Sequence, residues 1–379
     1  MELILGIIVG VLALTFLVVL HELGHAIAAR RNGVVVNEFG IGFPPVAWKR
    51  KLKNGVDFSI NWLPLGGFVK LKGEYDSATK KGDYGAASFW AKTKILLAGV
   101  FVNWMTAVIL LTILAFTGMP QVIPNQFSVP SDTKTIQQPV QLSSISANYP
   151  AANAGLKSKD KIVRFAGQEV ETTQDFIDLT HKYQGQKVEV IYVRGGTEAS
   201  THVVLKTGSG IVFGAGLVQP TQTKSTWSAP IVGLATTWQL TVETFKGLGT
   251  LVSNLATGIA SQLSGNEDVR KAGSAGIAAA SDSVAGPIGI LGVIFPAAQQ
   301  AGLTQLIMLM AVISIALAVM NVLPIPALDG GRWFTMAGFK LFGKKLTKER
   351  EEKIQTVGFL ALMALVVLVT VADVGKILK

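Results

Sequence analysis

The stretch LVVLHELGHAIAARR, residues 17–31, places two histidines and a glutamate at the end of an apolar run. The run, Leu3–Ala29, is long enough to cross about 30 Å of hydrocarbon. Ionisable side chains are costly inside a membrane helix unless they are paired or bound to a metal, so they indicate a functional site. On a helix, His21 and His25 lie on one face, one turn apart, with Glu22 beside them. The alternative is a chance match on an ordinary helix.

Composition places the chain among polytopic α-helical membrane proteins. It has 379 residues, of which 49% are hydrophobic and 15% charged, and its mean hydropathy is +0.44. This is too apolar for an ordinary soluble enzyme. A cleaved signal peptide is the alternative for the first apolar segment, which has no basic n-region. About four transmembrane helices are predicted: roughly Leu3–Ala29, Ile95–Thr117, Leu303–Leu323 and Ile354–Val371.

The distribution of charge predicts the orientation in the membrane. Residues 30–94 carry twelve Lys and Arg against five acids, and residues 332–353 carry seven against three. Short loops rich in Lys and Arg stay in the cytoplasm. Residues 119–302 are nearly balanced, thirteen basic against twelve acidic, as expected of a translocated domain. The basic residues behind the net charge of +10 therefore lie mainly in the segments next to the spans, and no nucleic-acid partner is predicted.

A metal site in this chain needs a third ligand besides the two histidines. There is no cysteine, and a catalytic zinc normally takes three protein ligands and a water. Asp329 is the leading candidate, because two prolines in NVLPIPALDGG (321–331) break the end of the third span and Gly330-Gly331 free the backbone after the acid. Glu349, in a charged loop, is a weaker candidate. Asp373 is expected to be a solvated end cap.

The remaining segments predict a folded domain between the spans and a β element near HELGH. Alternating residues around Pro64-Leu65-Gly66-Gly67 predict a membrane-associated β-hairpin-like loop at about 55–73, with a hairpin of no catalytic role as the alternative. Within 208–302, amphipathic helices on the membrane surface and a flexible loop at 264–283 are expected, with a further span as the alternative to the helices. Residues 285–299 are too interrupted by Gly and Pro to span alone. The sequence thus predicts five regions of the chain. They are the first two spans with HELGH and the β loop (1–118), a linker (119–139), an α+β domain (140–207), the surface helices and loop (208–302) and the last two spans (303–379).

These motifs resemble the site-2 protease family of intramembrane zinc metalloproteases, peptidase family M50. HELGH ends the first span, LDGG follows a late span, and ANYPAANAGLKSKDKIV (147–163) is similar to the PDZ stretch of the bacterial branch that regulates sigma factors. The chain departs from the family at Gly99-Val100, where Gly-Pro is usual. It also departs at Lys159, where glycine is usual, and at Ala166, where asparagine is usual.

The resemblance implies a Zn²⁺ cofactor held by His21, His25 and Asp329, with Glu22 as general acid and base. It implies substrates that cross the membrane once, such as anti-sigma factors and remnant signal peptides, cut inside the lipid bilayer. It also implies a bacterial cytoplasmic (inner) membrane, an active site near the cytoplasmic side, and one extracytoplasmic PDZ domain that holds a peptide or filters substrates by size.

Substrate binding is expected to involve the β element and two asparagines. The strand edge at Gly67, Phe68 and Val69 can add a substrate strand. Asn321, and less directly Asn103, can satisfy amides freed when the substrate helix unwinds, with helix packing as the alternative. Two other classes of protein stay open: a catalytically silent scaffold that holds peptides, and a zinc transporter. The retained HELGH and LDGG argue against the first, and the scarcity of acids in the spans argues against the second.

Overall fold

The computed structural model describes residues 2–208, 210–282 and 284–377. Within them the chain divides into two compact units, one formed by the residues up to Leu114 and from Ala229 onward, the other by Ala115–Ser228. The helices are α1 (Glu2–Arg31), α2 (Phe89–Thr117), α3 (Pro150–Asn153), α4 (Thr173–Lys182), α5 (Ala229–Gln262), α6 (Glu267–Asp282), α7 (Pro287–Gly289), α8 (Phe295–Ala301), α9 (Leu303–Val322), α10 (Asp329–Leu341) and α11 (Lys348–Ile377). A π-helical turn, Ile290–Ile294, joins α7 to α8.

The strands are short except for the first two. They are β1 (Val36–Lys51), β2 (Asp57–Leu71), β3 (Met119–Pro120), β4 (Lys134–Gln137), β5 (Gln141–Ile145), β6 (Lys161–Phe165), β7 (Gln168–Glu169), β8 (Lys187–Arg194), β9 (Thr197–Val204), β10 (Ala215–Val218) and β11 (Thr221–Lys224).

Four helices of the described chain are long and apolar enough to cross a membrane, which confirms the predicted number: α1, α2, α9 and α11. Glycines let a shorter helix approach the first of them closely. A Cβ added to Gly6 would lie 2.5 Å from Pro296 Cα, and one added to Gly10 would lie 2.8 Å from Phe295 Cγ. The segment α7–α8 therefore packs against α1, and its helical stretch is shorter than a span.

The predicted hairpin at 55–73 is part of a larger β element. Strands β1 and β2 pair antiparallel, and both are bent, so each contributes two segments. Residues 38–41 pair on one side with 57–60 and on the other with 67–70. The two arms of the expected hairpin are thus separated by the first half of β1, which the sequence analysis did not identify as a strand.

The unit Ala115–Ser228 is built on an antiparallel sheet of order β10-β5-β6-β8-β9, with β7 paired to β6. Its core contains Phe165, Phe176 and Phe213, whose ring centroids lie 4.9 to 6.2 Å apart in edge-to-face pairs. Helix α4 begins with a capping box, in which the Thr172 side chain accepts the N–H of Asp175 and Asp175 accepts the N–H of Thr172. The capping box fixes the start of this helix at Thr172.

Several expected boundaries of this region differ from the structure. The expected linker 119–139 contains β3 and β4, which both pair with β11. Strand β10 lies beyond residue 207 and pairs with β5, so the folded unit extends further than predicted. These strands are only two to four residues long, and their pairing is set by distant partners that local sequence does not show.

Two expectations for the later part of the chain were wrong. The segment 264–283, expected to be a flexible loop, forms α6 over Glu267–Asp282, in keeping with its alanines and acidic first turn; Ser283 lies outside the described residues. Asp373 is 3% exposed and accepts the backbone N–H of Gly289 at 2.7 Å, so it is buried and not solvated. The first N–H groups of α7 have no partner within the helix. Asp373 is drawn inside the protein because its carboxylate accepts one of them.

Helix α5 confirms that residues 208–302 contain a helix, but its first part packs against a predicted span. The Trp104 indole N–H donates to Thr241 Oγ1 at 3.1 Å. A Cβ on Gly233 would lie 2.3 Å from Thr112 Oγ1. The start of α5 therefore runs along α2 in the opposite direction.

Candidate metal centre

The helical spacing of HELGH brings the two imidazoles together. His21 and His25 are 7% and 6% exposed, and their Nε2 atoms are 3.1 Å apart. The rings meet edge to face, with centroids 4.7 Å apart. One face of α1 thus presents two imidazole nitrogens to the same point.

Asp329 completes a cluster of three side chains. Its Oδ2 lies 3.0 Å from His21 Nε2 and 3.1 Å from His25 Nε2. The predicted convergence of these residues is present in the structure, and their role as ligands stays a prediction. Glu349, the weaker candidate, is exposed and outside the cluster.

The two glycines after Asp329 allow the close turn that the sequence predicted. A Cβ on Gly330 would lie 2.3 Å from the Val322 carbonyl oxygen, and one on Gly331 would lie 2.0 Å from that of Ile325. The chain leaving α9 therefore folds back directly onto the first turn of α10. This fold directs the Asp329 carboxylate toward α1.

Groups behind the imidazoles fix their orientation. His25 Nδ1 lies 2.7 Å from the Ile95 carbonyl oxygen. Because a carbonyl only accepts, Nδ1 carries the proton, and in the neutral imidazole the lone pair of Nε2 then faces Asp329.

Asn103 holds the second imidazole from the opposite side. It is fully buried, its Nδ2 lies 3.3 Å from His21 Nδ1, and its Oδ1 has no partner among the described residues. A 180° turn of the amide would let Oδ1 accept from Nδ1–H and free Nε2 of His21. Asn103 therefore contacts His21, and its role in substrate binding stays a prediction.

The donor set fits a zinc ion. Asp329 Oδ2 is buried, and the described residues give it no hydrogen bond of good geometry. With both imidazoles neutral and protonated on Nδ1, two Nε2 lone pairs and a carboxylate oxygen would lie 3.0 to 3.1 Å apart and repel one another unless a cation lay among them. Ligand atoms that share a tetrahedral zinc at about 2.0–2.2 Å lie roughly 3.3–3.5 Å apart. The observed spacing is within a few tenths of an ångström of that value.

Glu22 lies between the cluster and the β element. It is half-buried, and the backbone N–H of Val69 donates to its carboxylate. Gly67 is buried against α1, where an added Cβ would lie 3.7 Å from Glu22 Cγ. Two of the three predicted strand residues are therefore beside Glu22. The third, Phe68, packs on Gly40 on the other side of the strand.

A buried carboxylate supports this part of the sheet. Glu38 is 9% exposed, and it accepts from Ser59 Oγ at 2.9 Å and from Lys70 Nζ at 3.4 Å. Burial alone would raise the pKa of Glu38, but these hydrogen bonds and that from Lys49 hold the pKa below its ordinary value. The carboxylate therefore stays ionised and ties Lys70, next to Val69, to the centre of the sheet.

Asn321 stands apart from these contacts. Its Nδ2 donates to the Leu317 carbonyl of its own helix at 3.0 Å, so its role in substrate binding stays a prediction. Gly99 is a site residue that sequence reasoning did not identify. A Cβ there would lie 2.5 Å from His25 Nε2 and 2.6 Å from His21 Cε1. Its position four residues before Asn103, on the same face of α2, was the available signal.

Comparisons with known proteins agree with this chemistry. The model of peptidase family M50 matches residues 9–365. The chain is similar to a Clostridium perfringens protein named as a candidate zinc metalloprotease, with 31% identity over 368 residues, 97% of this chain and 98% of that protein. It is similar to zinc metalloprotease RasP of Geobacillus kaustophilus, with 26% identity over 442 residues, 95% of each chain. Among solved structures, the PDZ domain of an SdrC-like protein from Listeria monocytogenes is 27% identical, covering 21% of this chain and 87% of that one, with a TM-score of 0.20.

Proposed function

Because the chain belongs to peptidase family M50 and is therefore a metallopeptidase, we propose that it hydrolyses peptide bonds of single-span membrane proteins within the bilayer. Anti-sigma factors and remnant signal peptides are the substrate classes. The observation that carries this proposal is the convergence of His21, His25 and Asp329 at the end of an apolar helix. A protease active site so placed acts on substrates that are themselves in the membrane.

His21, His25 and Asp329 would hold Zn²⁺, which lowers the pKa of a bound water to about 7 and polarises the scissile carbonyl. Glu22, beside the imidazoles, accepts the proton of the attacking water. It then donates that proton to the leaving nitrogen, so that one carboxyl group serves as base and acid in turn. The backbone N–H of Val69 orients the carboxylate for both steps.

The edge of β2 would align the substrate. A transmembrane helix hides its amides in internal hydrogen bonds, so it must unwind before hydrolysis. The N–H groups of Val69 and Leu71 point away from β1, the first toward Glu22 and the second toward Glu74 Oε1 at 2.7 Å. An unwound substrate strand that follows this edge would bring its amide next to Glu22.

The proposed placement follows the charge distribution. We infer a bacterial cytoplasmic membrane with the metal centre near the cytoplasmic side, because the basic loops follow α1 and α9. The unit Ala115–Ser228 would then be extracytoplasmic. Its proposed role is that of a PDZ domain that holds a peptide or excludes substrates with large outer domains.

The test is cleavage of a model single-span substrate by the purified protein, with and without a zinc chelator. Cleavage should stop with the chelator and return when zinc is added. Glu22→Gln should lose at least about 100-fold in rate, the scale of general acid–base catalysis, while it keeps its zinc. Glu2→Gln, an exposed change on the same helix, is the matched control and should cleave normally. Cleavage that survives both the chelator and Glu22→Gln refutes the proposal.

A further inference from the structure

An ion pair between a half-buried arginine and a buried glutamate lies one turn beyond the third predicted ligand. Arg332 follows Asp329 on α10, and its Nε donates to Glu351 Oε1 of α11 at 3.2 Å. Arg332 Nη2 also donates to the Glu74 carbonyl oxygen. Glu351 is 3% exposed. A carboxylate so deeply buried is costly unless every lone pair is satisfied.

The second oxygen of Glu351 is also occupied. Its Oε2 accepts the backbone N–H of Asp76 at 2.8 Å, and Asp76 Oδ1 in turn accepts from Lys92 Nζ, which is also buried. The Arg332 guanidinium lies over the Tyr84 ring, 4.9 Å from its centroid. Glu351 thus connects α10, α11, the start of α2 and the loop after β2.

The same face of α11 supports the loop that precedes Asp329. Gln355 lies one turn after Glu351, and its Oε1 accepts the Ala327 N–H at 2.6 Å. Gly358 lies one turn further, where a Cβ would be 2.3 Å from Pro326 Cβ. Glu351, Gln355 and Gly358 therefore form a stripe at helical spacing.

The loop needs this support. Ala327 has φ +76, in the left-handed region that residues with a Cβ disfavour. Such a conformation persists only when the surroundings hold it. Gln355 holds the chain two residues before Asp329, and Glu351 holds it three residues after through Arg332.

We propose that Glu351, acting through Arg332, and Gln355 are positioning residues that hold Asp329 at the imidazoles, so that α11 sets the affinity of the metal centre. The inference rests on the proposed function, because it concerns the same zinc site. None of these residues touches the imidazoles or the substrate edge in the contacts described above. Their effect therefore passes through the backbone on each side of Asp329.

The test is zinc affinity, measured on the purified full chain by titration with a competing chelator. Glu351→Gln should weaken zinc binding about 10- to 100-fold, the range for groups that orient a ligand from outside the coordination sphere. Glu349→Gln, an exposed change two residues earlier on α11, is the matched control and should bind zinc normally. The thermal unfolding midpoint of each variant separates loss of the site from loss of the fold.

A further variant keeps the inference testable if Glu351→Gln does not fold. Gln355→Ala leaves the ion pair intact and should still weaken zinc binding about tenfold.

The two proposals fail in different ways. Zinc affinity within twofold of the parent in both Glu351→Gln and Gln355→Ala refutes the inference, even if the parent cleaves in a zinc-dependent manner. Cleavage by the parent without metal refutes the proposed function, whatever the Glu351 result.

Discussion

Gly99→Ala is the smallest change that should disable the metal centre. Gly99 lies on α2 directly against both imidazoles. The added methyl would lie 2.5 Å from His25 Nε2, 2.6 Å from His21 Cε1 and 2.7 Å from His21 Nδ1. Non-bonded heavy atoms normally approach to about 3.5 Å. The rings must therefore move by up to about 1 Å, or α2 must move away from α1.

Either movement is large compared with the tolerance of a metal site. Metal–ligand distances hold to about 0.2 Å, and a displacement of about 1 Å costs on the order of 100-fold in rate. We therefore expect Gly99→Ala to lose at least about 100-fold in zinc affinity and in cleavage. Alanine favours helix over glycine by up to about 1 kcal/mol, so helix propensity alone would not cause a loss.

The assay compares chelator titration and substrate cleavage for Gly99→Ala and Gly338→Ala. Gly338 lies within α10, and an added Cβ there meets no atom within 4 Å. The control should therefore keep its zinc and its activity. Gly99→Ala with zinc affinity and cleavage within threefold of the parent would show that the imidazoles are not held by α2 as described.

Two predictions concern the unit Ala115–Ser228 and can be checked by thermal unfolding of the purified protein. Lys159 has φ +74, in the left-handed region that glycine adopts more easily. Lys159→Gly should therefore stabilise the unit by about 1 kcal/mol. The control Lys157→Gly, at a residue outside the left-handed region, should destabilise the unit, and equal effects of the two changes would contradict this prediction. Burial alone would raise the pKa of Asp132, but hydrogen bonds from Ser228 and Thr226 hold this pKa below its ordinary value of 3.8. The ionised carboxylate therefore contributes fully to the stability of the unit above about pH 4. This stability is lost as the pH falls through the lowered pKa. Asp132→Asn should therefore lower the unfolding midpoint at pH 7 and reduce its fall between pH 4 and 2; an unchanged acid dependence would refute this.

The site was predictable where its geometry is local. The spacing of His21 and His25 is fixed by one helical turn, and the prolines before Asp329 mark a break in α9. Each of these features depends on residues a few positions apart.

The features that sequence reasoning missed depend on distant partners. β1 contains Gly42, Pro44 and Pro45, which resemble a turn, and only pairing with both halves of β2 makes it a strand. Glu351 looks like one charge among several in a basic loop, and nothing near it in the chain indicates that Arg332 will bury it. Tertiary contacts decided both outcomes.

The support of Asp329 by α11 affects when the enzyme can begin to work. HELGH precedes Gln355 and Gly358 in the chain and is therefore synthesised well before them. A chain still on the ribosome therefore carries the imidazoles without their carboxylate partner held in place. The three side chains of the metal centre are therefore held together only after α11 has packed against the loop that precedes Asp329.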